Sequence, residues 1–431
     1  MPKIAFIGAG SVEFTKNLLG DILSFEELAD AHICLHDIDA GRLQTAEAIA
    51  RWANETLGAS CRIEACLERR AALSGADYVI NMIQVGGHAA TIEDFEIPKR
   101  YGLRQTIGDT IGVGGVFRGL RTIPVMLDIA DDMQRECPSA WLLNYTNPMA
   151  ILCWAVYAGS PITRIVGLCH SVQYTSRQLA DYIGVPFEEI DFLGAGLNHQ
   201  AFILRFEHRG QDLYPRLDEA IARDPELARK VRVEIYKRFG YFPTESSEHS
   251  AEYVPWFMRN DDAVERFRIP IDEYVRRSEE NLAIYEDIKT GLERGESFEI
   301  ERSVEYASLI IHSMETGVER VIYGNVRNSG EIENLPAGAC VEVPCVVDGT
   351  GLHTMHVGSL PPQLAALNRT FLNVVELTVR AALEESRDHV RRAVMLDPNA
   401  SATLSLEAID DMCDELIAAH RDYLPKGITQ G

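Results

Sequence analysis

The chain has 431 residues, 46 % apolar and 25 % charged, with a formal net charge of −24. That length suits two domains, or one large domain with insertions, and the composition is that of an ordinary globular protein. The negative balance argues against nucleic acid or an anionic membrane as partner, since both demand a basic surface; it fits a neutral substrate, or an anionic one drawn to a local cation.

An apolar strand is predicted over Lys3–Gly8. It opens at once into a turn, unlike a signal peptide, and no apolar run reaches the roughly 18 residues of a membrane helix. Residues 12–28 carry Phe14, Leu18, Leu19, Ile22 and Leu23 at helical spacing. A second strand runs through "AHICLHDID", a helix follows over 40–57, and Cys61–Cys66 alternates as a strand. A buried strand is predicted at 76–84. The glycine-rich stretch "GDTIGVGGVFRG" (108–119) reads as a loop leading into a helix over 118–135. Strands at 140–148 and 164–169 flank one more helix. Strands alternating with helices predict a doubly wound, Rossmann-like parallel sheet with right-handed crossovers.

The pattern changes after residue 170. Polar helices are predicted at 172–184 and 214–240, a mixed region at 245–300, a strand at 340–348 and mostly helix over 362–425. We therefore expect a dinucleotide-binding domain over 1–170 and a second, α+β domain over 171–431 that packs against the first. The nine cysteines are odd in number and scattered, several in apolar segments, which points to a reduced, cytoplasmic protein.

The first strand ends in Gly8-Ala9-Gly10-Ser11. Gly8 permits a tight turn, Gly10 a close backbone approach to a pyrophosphate, and the following helix N-terminus attracts its charge. Glu13 occupies the place of the third glycine of the fingerprint. The next strand ends in Asp37, an acid suited to ribose hydroxyls and hostile to a 2′-phosphate, which favours NAD over NADP. Polar clusters fall at other strand ends: Gln84–Gly87, Asn144–Asn147, Cys169-His170 and Asn198-His199. A thiolate with an imidazole suits a borderline divalent metal; a core cysteine beside an unrelated histidine is the other reading.

Taken together, "IAFIGAGS", "QTIGDTIGVGGVFRGLRTIP", "LLNYTNPMA", "VGLCHSVQ", "GLNH", "TESSEHSAEYVPWF" and "VIYGNVRN" resemble glycoside hydrolase family 4, in particular its melibiase-type α-galactosidases. The resemblance implies NAD and a divalent metal, usually manganese, in one site, with Cys169 and His199 as metal ligands and Asn147 at the sugar. It implies oxidation of the sugar at C3, deprotonation at C2, loss of the aglycone, water addition and return of hydride, unlike glycosidases that use two carboxylates. His170 is then the acid for the leaving oxygen, although many relatives carry aspartate there. Tyr253 is the favoured C2 base, with His249 and Glu252 behind it. Asp109 and Arg118, flanking the glycine-rich stretch, are expected at the substrate; a pairing of Asp109 with Arg118 or Arg121 is the alternative. A small glycoside substrate and a homodimer or homotetramer are expected. Family 4 α-galacturonidase and α-glucosidase activities are the nearest alternatives. An NAD-dependent 2-hydroxy-acid dehydrogenase is a further one, which leaves Cys169 and the "SSEHSAEY" stretch without a task.

Overall fold

The computed structural model describes residues 1–430. Its first six strands, β1 (Lys3–Ile7), β2 (His32–His36), β3 (Arg62–Cys66), β4 (Tyr78–Asn81), β5 (Trp141–Asn144) and β6 (Ile165–Leu168), pair in parallel in the order β3-β2-β1-β4-β5-β6. Helices α1 (Val12–Leu23), α2 (Ala40–Thr56), α3 (Arg69–Leu73), α4 (Gly87–Arg100), α5 (Gly112–Glu136) and α6 (Met149–Gly159) connect them. The run Ile4–Ile7 is continuously buried, as expected for a strand covered by helices on both faces. Strand order reverses between β1 and β4. Ligands bind beyond the carboxyl ends of the strands at such a reversal.

The sheet does not stop at residue 170. After α7 (Ser171–Ile183), strands β7 (Asp191–Leu197), β8 (Gln200–His208), β9 (Gln211–Asp212), β10 (Phe242–Pro243), β11 (Arg320–Arg327), β12 (Cys340–Asp348) and β13 (Gly351–Thr354) join it antiparallel. The junction is β11 against β6, with Gly324 opposite Leu168. The second part of the chain thus extends the same sheet. Its helices include α8 (Tyr214–Arg223), α9 (Pro225–Ala228), α10 (Val231–Phe239), α11 (Ser247–Glu252), α12 (Asp261–Phe267), α13 (Glu273–Glu293) and α14 (Tyr306–Thr316). Helices α15 (Pro362–Leu383), α16 (Arg387–Leu396), α17 (Pro398–Thr403) and α18 (Leu406–Ala419) close the fold. Among the described residues no helix is long and apolar enough to cross a membrane.

Two predicted elements need correction, and two stretches of regular structure went unpredicted. Helix α1 ends at Leu23, not 28: the Ser24 hydroxyl bonds back to the Gly20 carbonyl and Phe25 turns extended, leaving a separate 3₁₀ turn at Glu26–Leu28. Helix α5 starts at Gly112, so Gly114, Gly115 and Gly119 lie within it rather than in a loop. The physical reason is close packing. A Cβ on Gly114 would lie 2.4 Å from the Gly108 carbonyl oxygen, and one on Gly115 2.6 Å from the Thr110 carbonyl carbon. The glycines let segment 105–111 fold back onto its own helix. Finally, the sequence pattern assigned nothing to 87–100 or 191–208; these are α4 and the hairpin β7–β8.

Candidate active site

At the strand-order reversal, Gly8 has φ 86°, and the amides of Gly8 and Ala9 both donate to the His36 carbonyl at 2.9 Å. This ties the turn after β1 to the end of β2. The Gly10 amide donates to Asp37 Oδ2 at 2.8 Å, and the Asp39 amide to Oδ1 at 2.9 Å. A Cβ on Gly10 would sit 2.5 Å from Asp37 Oδ2, so this glycine makes room for the acid of its own site as well as for a ligand. Ser11 stands at the N-cap of α1 with no side-chain cap bond, leaving its hydroxyl and the first helical amides open to an anion. Sequence reasoning missed Arg42. Its Nη1 donates to the Gly10 carbonyl at 3.0 Å and its guanidinium lies 4.2 Å from the centre of the Tyr285 ring.

A second cluster gathers next to it, along the same carboxyl edge. Asp109, buried, accepts from Asn147 Nδ2 at 3.1 Å and from the Thr110 hydroxyl at 2.7 Å. Arg118 donates from Nε to the Asn147 carbonyl at 3.1 Å and from Nη1 to the Tyr274 hydroxyl at 2.6 Å. Neither pairing foreseen for Asp109 forms: Arg121 makes a bidentate bond to Asp94, and Arg118 lies beyond ion-pair distance, though its charge still reaches Asp109. Burial opposes ionisation of Asp109, but His249, with Nε2 at 3.6 Å, and then Arg118 and His199 outweigh it and hold the carboxyl well below its usual range.

His199 sits in the two-residue turn between β7 and β8, with φ 63°. Its Nδ1 lies 2.9 Å from the Thr110 hydroxyl and 3.4 Å from the Tyr253 hydroxyl. A carboxylate only accepts, so Thr110 donates to Asp109 and accepts from His199 Nδ1–H. That assignment leaves Nε2 as the bare nitrogen, facing Glu245 Oε2 at 3.8 Å. Burial pushes the His199 imidazole down to about 4, so it is neutral, as a metal ligand must be. His249, stacked edge-on at 4.5 Å between ring centres, has Nδ1 3.0 Å from the Ser246 hydroxyl and 3.6 Å from Glu245.

Cys169 Sγ, a His199 ring nitrogen and a Glu245 carboxylate oxygen lie within 4.8 Å of one another, as do donors from Asp109, His199 and His249. The chemistry of the first set fits a divalent cation: thiolate, imidazole and carboxylate together span soft to hard. Electrostatics agree. Burial, then Glu245 and Glu342, pushes the Cys169 thiol far up. Glu342 on β12 is fully buried and neither of its oxygens has a hydrogen-bond partner. A cation is the group that such a cluster lacks. Glu245, at φ 67°, escaped the sequence reading although it stands in the quoted "TESSEHSAEY" stretch; no periodicity marks a strained turn acid.

The proton-transfer candidates separate by geometry. Tyr253 is buried against Phe371, its hydroxyl aimed at His199. Burial and the neighbouring Asp109 raise that hydroxyl far above its usual value. Glu252 points the other way. It accepts the amides of Thr106, Ile107 and Gly108 at 2.5–3.2 Å, clamping the segment that carries Asp109, and so is unavailable as a base. His170, at the N-cap of α7, is about half exposed and bonds through Nδ1 to Glu305 at 3.2 Å.

The fold and the geometry of the site define a Rossmann-type protein in which a dinucleotide turn and a mixed sulfur–nitrogen–oxygen donor set share one sheet edge. Such a juxtaposition suits hydride and metal-assisted chemistry. The description "Family 4 glycosyl hydrolase" matches residues 3–185, and "Family 4 glycosyl hydrolase C-terminal domain" matches 194–400. An α-galactosidase of Bacillus subtilis (strain 168) is 46 % identical, covering 99 % of this chain and 100 % of its own. The crystal structure of Bacillus subtilis LplD superposes with a TM-score of 0.88 at 26 % identity, over 96 % of this chain and 99 % of that one. A 6-phospho-α-glucosidase from gut microorganisms, solved with NAD and Mn2+, superposes with a TM-score of 0.83 at 22 % identity, over 98 % of each chain. The chain belongs to glycosyl hydrolase family 4, which sets the dehydrogenase alternative aside.

Proposed function

We propose that this family 4 enzyme is an α-galactosidase acting on an unphosphorylated α-galactoside, with NAD and a divalent cation, manganese first, as cofactors. The carrying observation is the donor set Cys169, His199 and Glu245 beside the hydrogen-bonded pair Asp109–Asn147. The sugar is read from the 46 % identical α-galactosidase of equal length, and the cofactors draw support from the relative solved with NAD and Mn2+. A reducing, cytoplasmic setting is supported by nine free cysteines, and a homodimeric or homotetrameric assembly belongs to the same proposal.

NAD held at the Gly8–Ser11 turn would supply a reversible hydride acceptor for the sugar C3, and a cation held by Cys169, His199 and Glu245 would supply Lewis acidity to the neighbouring oxygens. The chain does the rest. The Gly8–Ser11 turn and the α1 N-terminus hold the pyrophosphate, and Asp37 faces the ribose. Asp109 accepts from, and Asn147 donates to, sugar hydroxyls; the Arg118 guanidinium, fixed between Asn147 and Tyr274, keeps Asn147 in place. Tyr253 takes the C2 proton. Its buried hydroxyl needs positive charge nearby to ionise, and the cation-compatible set begins 3.4 Å away at His199. His170 gives a proton to the departing aglycone oxygen and takes one from the incoming water.

A panel of p-nitrophenyl α-galactoside, α-glucoside and α-galacturonide, with NAD, manganese and thiol, tests the reading. Turnover of the galactoside at least tenfold above the others is expected. Preference for the uronide or the glucoside overturns the substrate assignment.

A further inference from the structure

Two helices begin at residues whose side chains are withheld from capping. His170 is the N-cap of α7 and Glu305 the N-cap of α14, and neither makes a side-chain bond to its own helix. N-cap side chains ordinarily satisfy a free amide of the first turn. Here the two bond each other instead, His170 Nδ1 to Glu305 Oε1 at 3.2 Å. The Glu305 side chain is 11 % exposed and that of His170 45 %, so the acid is fixed inside while the imidazole reaches outward.

The segment before Glu305 is tied down. It crosses α1, the helix that follows the dinucleotide turn. The Ser303 amide and hydroxyl both donate to Asp21, Lys16 donates to the Glu299 carbonyl at 3.2 Å, and a Cβ on Gly20 would lie 2.8 Å from Ile300. The Ser303 hydroxyl accepts the Glu305 amide at 3.1 Å. On the far side, the Tyr145 hydroxyl accepts the Ala307 amide at 3.0 Å, and Tyr145 packs edge-on against Phe14 of α1 at 4.9 Å. Glu305 is therefore held from both flanks by the elements that form the dinucleotide site.

We infer that Glu305 is a positioning residue: its carboxylate keeps the proton of His170 on Nδ1 and the ring turned so that Nε2 serves the aglycone oxygen. A carboxylate accepts only, so Nδ1 must carry the hydrogen of that bond, which leaves Nε2 outside the pairing. The step balances as follows. Starting from the imidazolium, with both nitrogens protonated, Nε2–H passes its proton to the aglycone oxygen as the C1–O bond breaks and that bond's electron pair goes to oxygen, leaving the neutral Nδ1–H ring. Neutral Nε2 then accepts a proton from the water that adds at C1. Nδ1–H stays on Glu305 throughout. This rests on the proposed acid role of His170.

The test compares Glu305→Ala, Glu305→Gln and His170→Ala on p-nitrophenyl α-galactoside, whose phenolate leaves unaided, and methyl α-galactoside, whose alkoxide needs a proton. Deuterium uptake at C2 in deuterated water and NAD affinity are measured alongside. Glu305→Ala is expected to lose about 30-fold or more in kcat/KM on the methyl glycoside and under about threefold on the aryl one, a fraction of the usual 10²–10⁴-fold for an acid catalyst. C2 exchange and NAD affinity stay within about twofold of wild type. Glu305→Gln, which keeps an acceptor oxygen, recovers most of the loss. Glu305→Met, of similar length without an acceptor, replaces the alanine variant if that one melts early. Equal losses on both substrates, or none, overturn the inference. If His170→Ala shows the leaving-group split and Glu305→Ala does not, only the inference falls. If neither shows it, the acid role of His170 falls as well.

Discussion

In the proposed reading, Cys169 is the ligand on which cation binding turns. Its thiol is buried beside Glu245 and Glu342, a setting hostile to thiolate unless a cation is bound. A serine hydroxyl is far less acidic and a harder donor. Cys169→Ser should therefore lower cation content at least tenfold by elemental analysis, and hydrolysis and C2 exchange should vanish together, with the melting temperature and NAD affinity kept. Retained exchange in the presence of chelator would remove Cys169 from the cation. Asp397 offers a second test, through stability rather than activity. It caps α17 by accepting the Asn399 and Ala400 amides, yet its Oδ2 is unpartnered. Burial, helped by Glu252, pushes its carboxyl up to about 7. Between about pH 4 and pH 7 the unfolded chain has lost that proton while the native state holds it, so stability falls as pH rises through this window and levels above it. Asp397→Asn keeps the capping oxygen and removes the titration. Its stability relative to wild type should rise from pH 4 to 7, by a few kcal/mol at most at about 1.4 kcal/mol per unit, in urea melts across pH. A pH-independent difference would refute it.

At the scale of elements, two glycine-dependent contacts shape the site. Segment 105–111 lies on α5 because Gly114 and Gly115 carry no side chain, and Glu252 clamps its amides from α11. Gly115→Ala should displace Asp109 and Thr110. The expected result is a fall in kcat/KM of about 100-fold, since small misplacements of catalytic groups cost that much, while NAD affinity changes by less than about threefold. The turn after β1 makes the converse case. A methyl group on Gly10 would strike Asp37 and Arg42. Gly10→Ala should weaken NAD binding about tenfold or more by displacing Asp37, the proposed ribose acid, read from protein fluorescence quenching. An unaltered NAD affinity would show that the turn has room to relax.

Across the whole molecule, the antiparallel extension is what completes the active site. Strands β1 to β6 present Asp37, Asn147 and Cys169 along one edge, but His199 arrives on the β7–β8 turn and Glu245, His249 and Tyr253 on and around α11. In the proposed mechanism the site joins a redox half to a proton-transfer half, and the two should act in one cycle. Turnover should require NAD and yet accumulate no NADH at 340 nm, because the hydride returns to the sugar. Stoichiometric NADH would mean that the cycle does not close.

Local pattern determined a good part of this. The dinucleotide turn, the alternation of strands and helices through residue 169, and the polar residues at strand ends all follow from chain-local rules: glycine conformations, apolar periodicity and turn chemistry. Seven ordered motifs added the family, and with it Cys169 and His199 as one set. What the sequence left open was decided by contacts between distant segments. Glu245 and Glu305 are ordinary acids on the page; only folding brings one to His199 and the other to His170, 135 residues away. The glycines of α5 read as loop because their task is to admit a neighbouring backbone, which no propensity records. Glu252 and Tyr253 are adjacent in sequence and reach different partners, since successive helical side chains point about 100° apart. That divergence, invisible along the chain, separates a backbone clamp from a residue aimed at His199.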